Sequence, residues 1–310
     1  IAKWRNPYLG GLFFCRGESM QLFVKDLTVI DFSYLCPKRG MVGESWIVDV
    51  VLEGGLDEQN MVLDFAKVKR TIKQTIDAVA DHRLLVPTAY SGVRWQQQGD
   101  RVWMDFDSAL GEIHLACPSQ AFALVPSEQI DIPSVNAFLQ KALRETLPDN
   151  VEGISLTLRH EILNSPYYHY SHGLRKHDGN CQRIAHGHRS PLQVFENGIP
   201  APKWDEYWAK RWHDIYLGSE EDLVSVKTLN LSPQTRISDD SHYGFHYQAP
   251  QGDFQLAMPK ECCDLIPHDT TVELLADYMA TTLVAKVPSS QFTVIAYEGV
   301  GKGAIVSKGN

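Results

Sequence analysis

Gly111–Pro126 reads GEIHLACPSQAFALVP, and further along the chain Gly252–Pro267 reads GDFQLAMPKECCDLIP. Laid over one another without a gap, Gly, Leu, Ala, Pro, Leu and Pro recur in place. Self-similarity of this kind marks a duplicated unit. Each copy is followed by a helical pattern and then a strand ending in glutamate: Arg159, His160, Glu161 in one, Ala296, Tyr297, Glu298 in the other.

Upstream of the first copy, Gln21–Tyr34 and Ser45–Leu52 are rich in β-branched and aromatic residues, as two strands are. From Asp64, apolar residues at Phe65, Val68, Ile72, Ile76 and Val79 form one helical stripe, while Lys67, Lys69, Arg70 and Lys73 face water. That helix runs straight into Ala80, Asp81, His82 and Arg83. A second helix is expected near Ser134–Leu147 and a strand over Ile154–Glu161. In the second half, Trp204, Trp208 and Trp212 mark the matching first helix; at helical spacing they read as core. The repeat places the junction near Leu163, giving domains at 20–163 and 164–310. Residues 1–19 read as an extension outside the main fold, since GGLFFC is too short and wrongly flanked for a secretory signal and Met20 opens a clean strand.

Half of the twelve histidines fall between His160 and His188. His186 and His188, two apart on a strand, present both rings on one face. If Tyr168–Leu174 is the preceding strand, a hairpin brings His172 beside them, the three-imidazole geometry of a catalytic zinc with an open position. Cys181 falls in the connecting loop, where a thiol close to metal and imidazolium is poised for nucleophile or base duty. His160, His169 and His177 read as interface, supporting or solvated residues instead.

At 310 residues, with 44% apolar and 22% charged residues, the chain is long enough for two folded domains. A net charge of −9 argues against a nucleic-acid partner, and no apolar run approaches the length of a membrane span. Six cysteines without a CxxC pair point to a reduced, cytoplasmic setting, with the adjacent Cys262 and Cys263 as packing residues. The EGVGKGA stretch at Glu298–Ala304 suggests a phosphate loop but opens no helix, so its amides have no phosphate to cradle.

With these motifs in order, the chain resembles the 6-pyruvoyl-tetrahydropterin synthase and 6-carboxy-tetrahydropterin synthase family in two tandem copies. His172, His186 and His188 look like its zinc ligands and Cys181 like its catalytic cysteine. Asp81 and His82 resemble its catalytic Asp–His pair, and Thr270, Thr271 and Glu298 its pterin-binding elements. The first copy reads Tyr34, Val42 and Glu44 at the metal positions, so it is expected to hold no zinc. The second has no Asp–His after its first helix; Asp240, Ser241, His242 is the nearest candidate and is misplaced.

The resemblance implies an α+β fold of two tunnelling-fold (T-fold) domains, antiparallel sheets with helices on one face, assembling as a homo-oligomer into a barrel. It implies a Zn2+-dependent lyase that takes a small pterin, 7,8-dihydroneopterin triphosphate, and eliminates triphosphate. The product is 6-carboxy-tetrahydropterin on the queuosine route or 6-pyruvoyl-tetrahydropterin on the biopterin route. Two alternatives remain at this level: another tandem T-fold enzyme such as a deazaguanine nitrile reductase, which needs no three-histidine zinc, and a non-catalytic pterin- or purine-binding protein.

Overall fold

The protein, as a computed structural model, is described over residues 4–5, 12–13, 20–54, 65–147 and 151–309. It is an α+β chain, mostly strand, with four α-helices among the described residues. The expected extension over 1–19 lies outside the described residues apart from Trp4–Arg5 and Leu12–Phe13, which pair antiparallel.

In the first half the longer elements are β1 (Met20–Cys36), β2 (Gly40–Gly54), α1 (Phe65–Val79), β3 (Leu84–Pro87), β4 (Val93–Gln98), β5 (Arg101–Ser108), β6 (Gly111–Pro118), β7 (Phe122–Val125), α2 (Ile132–Arg144) and β8 (Val151–His160). In the second they are β9 (Tyr167–His172), β10 (His186–Glu196), α3 (Pro202–Arg211), β11 (His213–Ser219), β12 (His242–Ala249), β13 (Gly252–Pro259), β14 (Cys263–Ile266), α4 (Val272–Lys286), β15 (Phe292–Tyr297) and β16 (Gly303–Lys308). Packing divides the chain into two compact units. One holds Ile1–Ile30, Trp46–Asp81 and Asp131–Glu161; the other holds Asp31–Ser45, His82–Ile130 and Ile162–Asn310.

In the first unit, Val68, Ile72 and Ile76 of α1 are buried as their spacing requires, and Lys67, Arg70 and Lys73 are exposed. Asp64, where the helix was expected to start, lies outside the described residues. α2 starts slightly earlier than its apolar stripe suggests, because Asp131 accepts from the Ser134 N–H (2.9 Å) and Pro133 fits the first turn. β8 pairs antiparallel with β2, Leu156 opposite Val50 and Leu158 opposite Val48, and all four side chains are buried.

The second unit carries a seven-stranded sheet, six of its strands in the order β14-β11-β9-β10-β15-β16 and the short strand Ile199–Pro200 paired antiparallel with the end of β10. It is mixed where an antiparallel sheet was expected: β9 runs parallel to β11 and β11 parallel to β14. Parallel neighbours need a crossover, which α3 supplies between β10 and β11. The first half repeats the device, with β3 parallel to β1 and β7 parallel to β3. Trp208 and Trp212 are fully buried, Trp212 edge-on to Tyr168 at 5.4 Å and stacked on Tyr278, so the tryptophan stripe is core.

A second sheet of this unit runs β12-β13-β6-β5-β4. Its centre is where the two sequence repeats meet. β6 and β13 are antiparallel with Leu115 opposite Leu256, the same position of each repeat. The repeats also fold alike: eight residues of strand, three of 3₁₀-helix and four of strand in each. Gly111 (φ +119°) and Gly252 (φ +135°) receive each other's prolines, Pro259 against Gly111 and Pro118 against Gly252. A Cβ on Gly252 would stand 2.4 Å from Pro118 Cγ. The core behind this seam includes Val102, Met104, Phe106, Leu115, Phe254, Leu256 and Cys262.

Gly252→Val combines a left-side backbone angle with a steric clash and is expected to cost about 2 kcal/mol or more in thermal or denaturant unfolding. Gly99→Ala, at φ +61° with nothing within 4 Å, is expected to cost no more than about 1 kcal/mol. Equal losses for the two would remove the interlock as a source of stability.

Candidate metal centre

β9 and β10 form an antiparallel pair in which His172 faces His186, Ser171 faces Gly187 and Tyr170 faces His188. Cross-strand partners share a face, and alternate residues return to it. His172, His186 and His188 therefore project together, with ring centroids 4.5 Å (His172–His186), 5.4 Å (His172–His188) and 5.9 Å (His186–His188) apart. One nitrogen from each lies within 4.8 Å of the other two. All three rings are essentially inaccessible to solvent.

Hydrogen bonds fix the tautomers. His172 Nδ1–H donates to the Thr270 carbonyl (3.0 Å), with the Thr270 hydroxyl equally close, and His186 Nδ1–H donates to the Arg183 carbonyl (3.0 Å). A carbonyl can only accept, so each Nε2 carries a lone pair. Burial, then the neighbouring imidazoles, hold His172 and His186 well below the usual histidine range, so both are neutral. Among the described residues, His172 Nε2, His186 Nε2 and His188 Nε2 are buried without a hydrogen-bond partner. Each such orphan costs about 1–3 kcal/mol unless something binds there. Three imidazoles converging on one point, two of them neutral and anchored by carbonyls, are the donor set a Zn2+ ion takes, so the residues present fit that ion.

A second group shares His186. Ligand atoms of His82, Cys181 and His186 also lie within 4.8 Å of one another, and the His82 and His186 rings are 5.1 Å apart. His82 sits at φ +53°, an angle non-glycine residues seldom adopt, with its N–H on the Asp31 carbonyl (2.7 Å) and its own carbonyl accepting from Arg183. Cys181 lies in a single 3₁₀ turn, Gly179–Gln182. That turn is pinned by the Leu174 N–H on the Cys181 carbonyl and by Tyr247 Oη on the Gln182 carbonyl. Asp81 belongs to the first unit, where its N–H reaches the Ile76 carbonyl at the end of α1 (3.4 Å).

Glu298 follows β15 with Oε1 3.9 Å from His188 Nε2 and Oε2 3.4 Å from Lys302 Nζ. The glycine-rich turn set aside as a phosphate loop instead folds Lys302 back over Glu298, whose N–H donates to the Lys302 carbonyl. Thr270 is buried against His172, and Thr271 caps α4. His242 stands apart on β12, its Nε2 3.0 Å from the Glu112 carbonyl, and His169 is buried with Nδ1 on the Gly43 carbonyl.

Asp31 was not among the expected site residues. Its one signal was an acid amid the apolar run TVIDFSYLC. Burial alone would raise its carboxyl, but His188, Lys302 and Ser45 together hold it well below the usual carboxylate range.

Residues 36–120 match the family model described as 6-pyruvoyl tetrahydropterin synthase. The chain resembles that family. The matched span contains Asp81 and His82 but none of His172, His186 and His188. Among solved structures, 6-pyruvoyl tetrahydropterin synthase from Plasmodium falciparum is 13% identical, with 45% of this chain and 90% of that chain covered and a TM-score of 0.37. The Plasmodium vivax enzyme is 14% identical, with 46% and 98% covered and a TM-score of 0.35. No curated protein matches the chain.

Zn2+ supplied at about a hundredfold over its Kd is expected to stabilise the protein by roughly 2.7 kcal/mol relative to chelator-treated protein. His172→Ala and His186→Ala are each expected to abolish that difference in thermal unfolding. An unchanged zinc-dependent shift in either variant would remove the residue from the donor set.

Proposed function

We propose that this protein is a zinc-dependent lyase that acts on 7,8-dihydroneopterin triphosphate, eliminating triphosphate to give 6-pyruvoyl-tetrahydropterin, or triphosphate together with the two outer side-chain carbons to give 6-carboxy-tetrahydropterin. The observation that carries the reading is the set of orphaned imidazole nitrogens of His172, His186 and His188 lying next to Cys181 and His82. The resemblance over residues 36–120 supports the substrate class.

His172, His186 and His188 would hold the ion. When bound, it supplies Lewis-acid polarisation of the substrate's side-chain hydroxyls and the adjacent C–H bonds. Cys181 Sγ takes a proton from the substrate side chain. His82, whose ring lies beside His186, returns a proton to the ring or the leaving oxygen, with Asp81 as the carboxylate that orients it. Glu298 accepts from the amide and amino groups of the pterin edge, a bidentate contact that Lys302 beside it keeps aimed. Thr270 serves this site by fixing the His172 tautomer, and Thr271 by starting α4 at that point.

The same proposal includes the domain organisation: an extension at 1–19 and T-fold copies at 20–163 and 164–310, closing a barrel by association of several chains. A soluble cytoplasmic enzyme and a small pterin as its only partner complete it.

The deciding experiment quantifies zinc in the purified protein, adds 7,8-dihydroneopterin triphosphate and identifies the product by mass. Protein with neither zinc nor triphosphate release would end the lyase reading; a zinc-free protein that reduces a deazaguanine nitrile would replace it. Cys181→Ala is expected to keep zinc and substrate binding while product formation falls by about 10²–10⁴-fold. Wild-type turnover in that variant would remove Cys181 from the chemistry.

A further inference from the structure

β1 carries one charged side chain into the imidazole cluster from outside β9 and β10. Asp31 is 4% exposed, and its Oδ1 lies 3.2 Å from His188 Nδ1. Two contacts hold it there, and a third holds one of its partners. The Ser45 hydroxyl donates to Oδ1 (2.5 Å), Lys302 Nζ stands 3.5 Å from Oδ2, and Ser45 Oγ itself accepts the Arg189 N–H (3.2 Å).

The approach depends on missing side chains. A Cβ on Gly43 would stand 1.8 Å from the Tyr170 carbonyl oxygen, and one on Gly187 2.7 Å from Gly43 Cα. With both absent, the Asp31–Ser45 segment lies close enough for Ser33 Oγ to reach Ser171 Oγ at 2.7 Å. Across the same contact a second carboxylate meets a second imidazole: Glu44 Oε2 is 3.8 Å from His169 Nδ1. His169 is outside the three-imidazole group, so this arrangement occurs once beside the cluster and once away from it.

His172 and His186 each have a carbonyl that fixes Nδ1–H; His188 has no carbonyl partner, and Asp31 is the acceptor facing its Nδ1. We infer that Asp31 is a positioning residue for the metal centre. Its carboxylate keeps His188 protonated at Nδ1 and turns Nε2 toward the lone pairs of His172 and His186. The inference rests on the metal reading above and adds to it a residue from the first half of the chain. A carboxylate in this place raises the donor strength of the imidazole it holds, and its loss ordinarily weakens metal affinity by about 10–100-fold.

The test measures Zn2+ affinity by competition with a chromogenic chelator and the visible absorption of bound Co2+, on full-length protein. Asp31→Asn is expected to lose about 10–100-fold in Zn2+ affinity and to shift the Co2+ bands. Glu44→Gln, the same chemistry beside His169, is expected to bind both ions as the wild type does. Ser45→Ala, which leaves the carboxylate but frees it, is expected to lose several-fold and serves if Asp31→Asn does not fold. Wild-type affinity in Asp31→Asn or in Ser45→Ala, with a zinc-binding wild type, overturns the assignment alone. Equal losses in Asp31→Asn and Glu44→Gln overturn it too, as a general packing effect. A wild type that takes up neither ion overturns both the assignment and the reading beneath it.

Discussion

Three imidazoles withdrawn from water, with an unpaired nitrogen of each turned toward the others, are the constraint on which this molecule turns. Ordinary folding avoids leaving buried acceptors unpaired, since each costs about 1–3 kcal/mol. Here one ring nitrogen of each of His172, His186 and His188 is left so, on two adjacent strands and at a fixed register. The surroundings do not relieve the cost but enforce it. The Thr270 and Arg183 carbonyls take the Nδ1 protons of His172 and His186, and burial keeps both rings uncharged. A charged imidazolium trio at these distances would repel, and a water-filled one would not be buried. A cation is an occupant whose chemistry one nitrogen from each of these rings fits.

The two sequence repeats meet in the second sheet of the same unit. At the seam, Leu115 pairs with Leu256, and each repeat's glycine receives the other's proline. Near the cluster the same relation returns as two carboxylate–imidazole contacts, Asp31 with His188 and Glu44 with His169. Beside Asp31 stand three imidazoles. Elsewhere in the same unit a cavity of about 660 Å³ lies against Tyr34, Cys36, Lys38, Tyr90 and Gln129. Burial pushes the Tyr34 phenol up to about 12, so it stays a neutral hydroxyl, bonded by Arg39, and offers no anionic oxygen to a metal.

Much of this was legible in the chain because it rests on local period. His186 and His188 had to share a face, and a hairpin had to bring His172 to them, whatever lay around. The α1 stripe and the tryptophan spacing named core residues for the same reason. What sequence did not disclose was long-range. Nothing local says that β11 enters beside β9 in parallel, because that follows from where α3 delivers the chain. Resemblance makes Thr270 a substrate contact and says nothing of His172, its neighbour across the fold 98 residues away. Asp31 lies 157 positions before His188 by number, and only the close backbone approach at Gly43 and Gly187 joins them. A buried acid in an apolar strand was a visible signal, but it named no partner.

The span that matches the family model, residues 36–120, stops before any of the three clustered imidazoles. It contains His82, which the structure sets against His186 and Cys181. The resemblance by sequence and the donor set for a metal thus fall in different stretches of one chain. The fold gives a physical reason. β6 and β13 pair at Leu115 and Leu256, so one sheet joins strands from the two halves of the chain. Here His82 and Asp31 come from the first half, and His172, Cys181, His186 and His188 from the second. A sequence pattern confined to residues 36–120 therefore meets His82 but not the imidazoles and the thiol that the fold sets beside it, because long-range strand pairing and not local spacing brings them together.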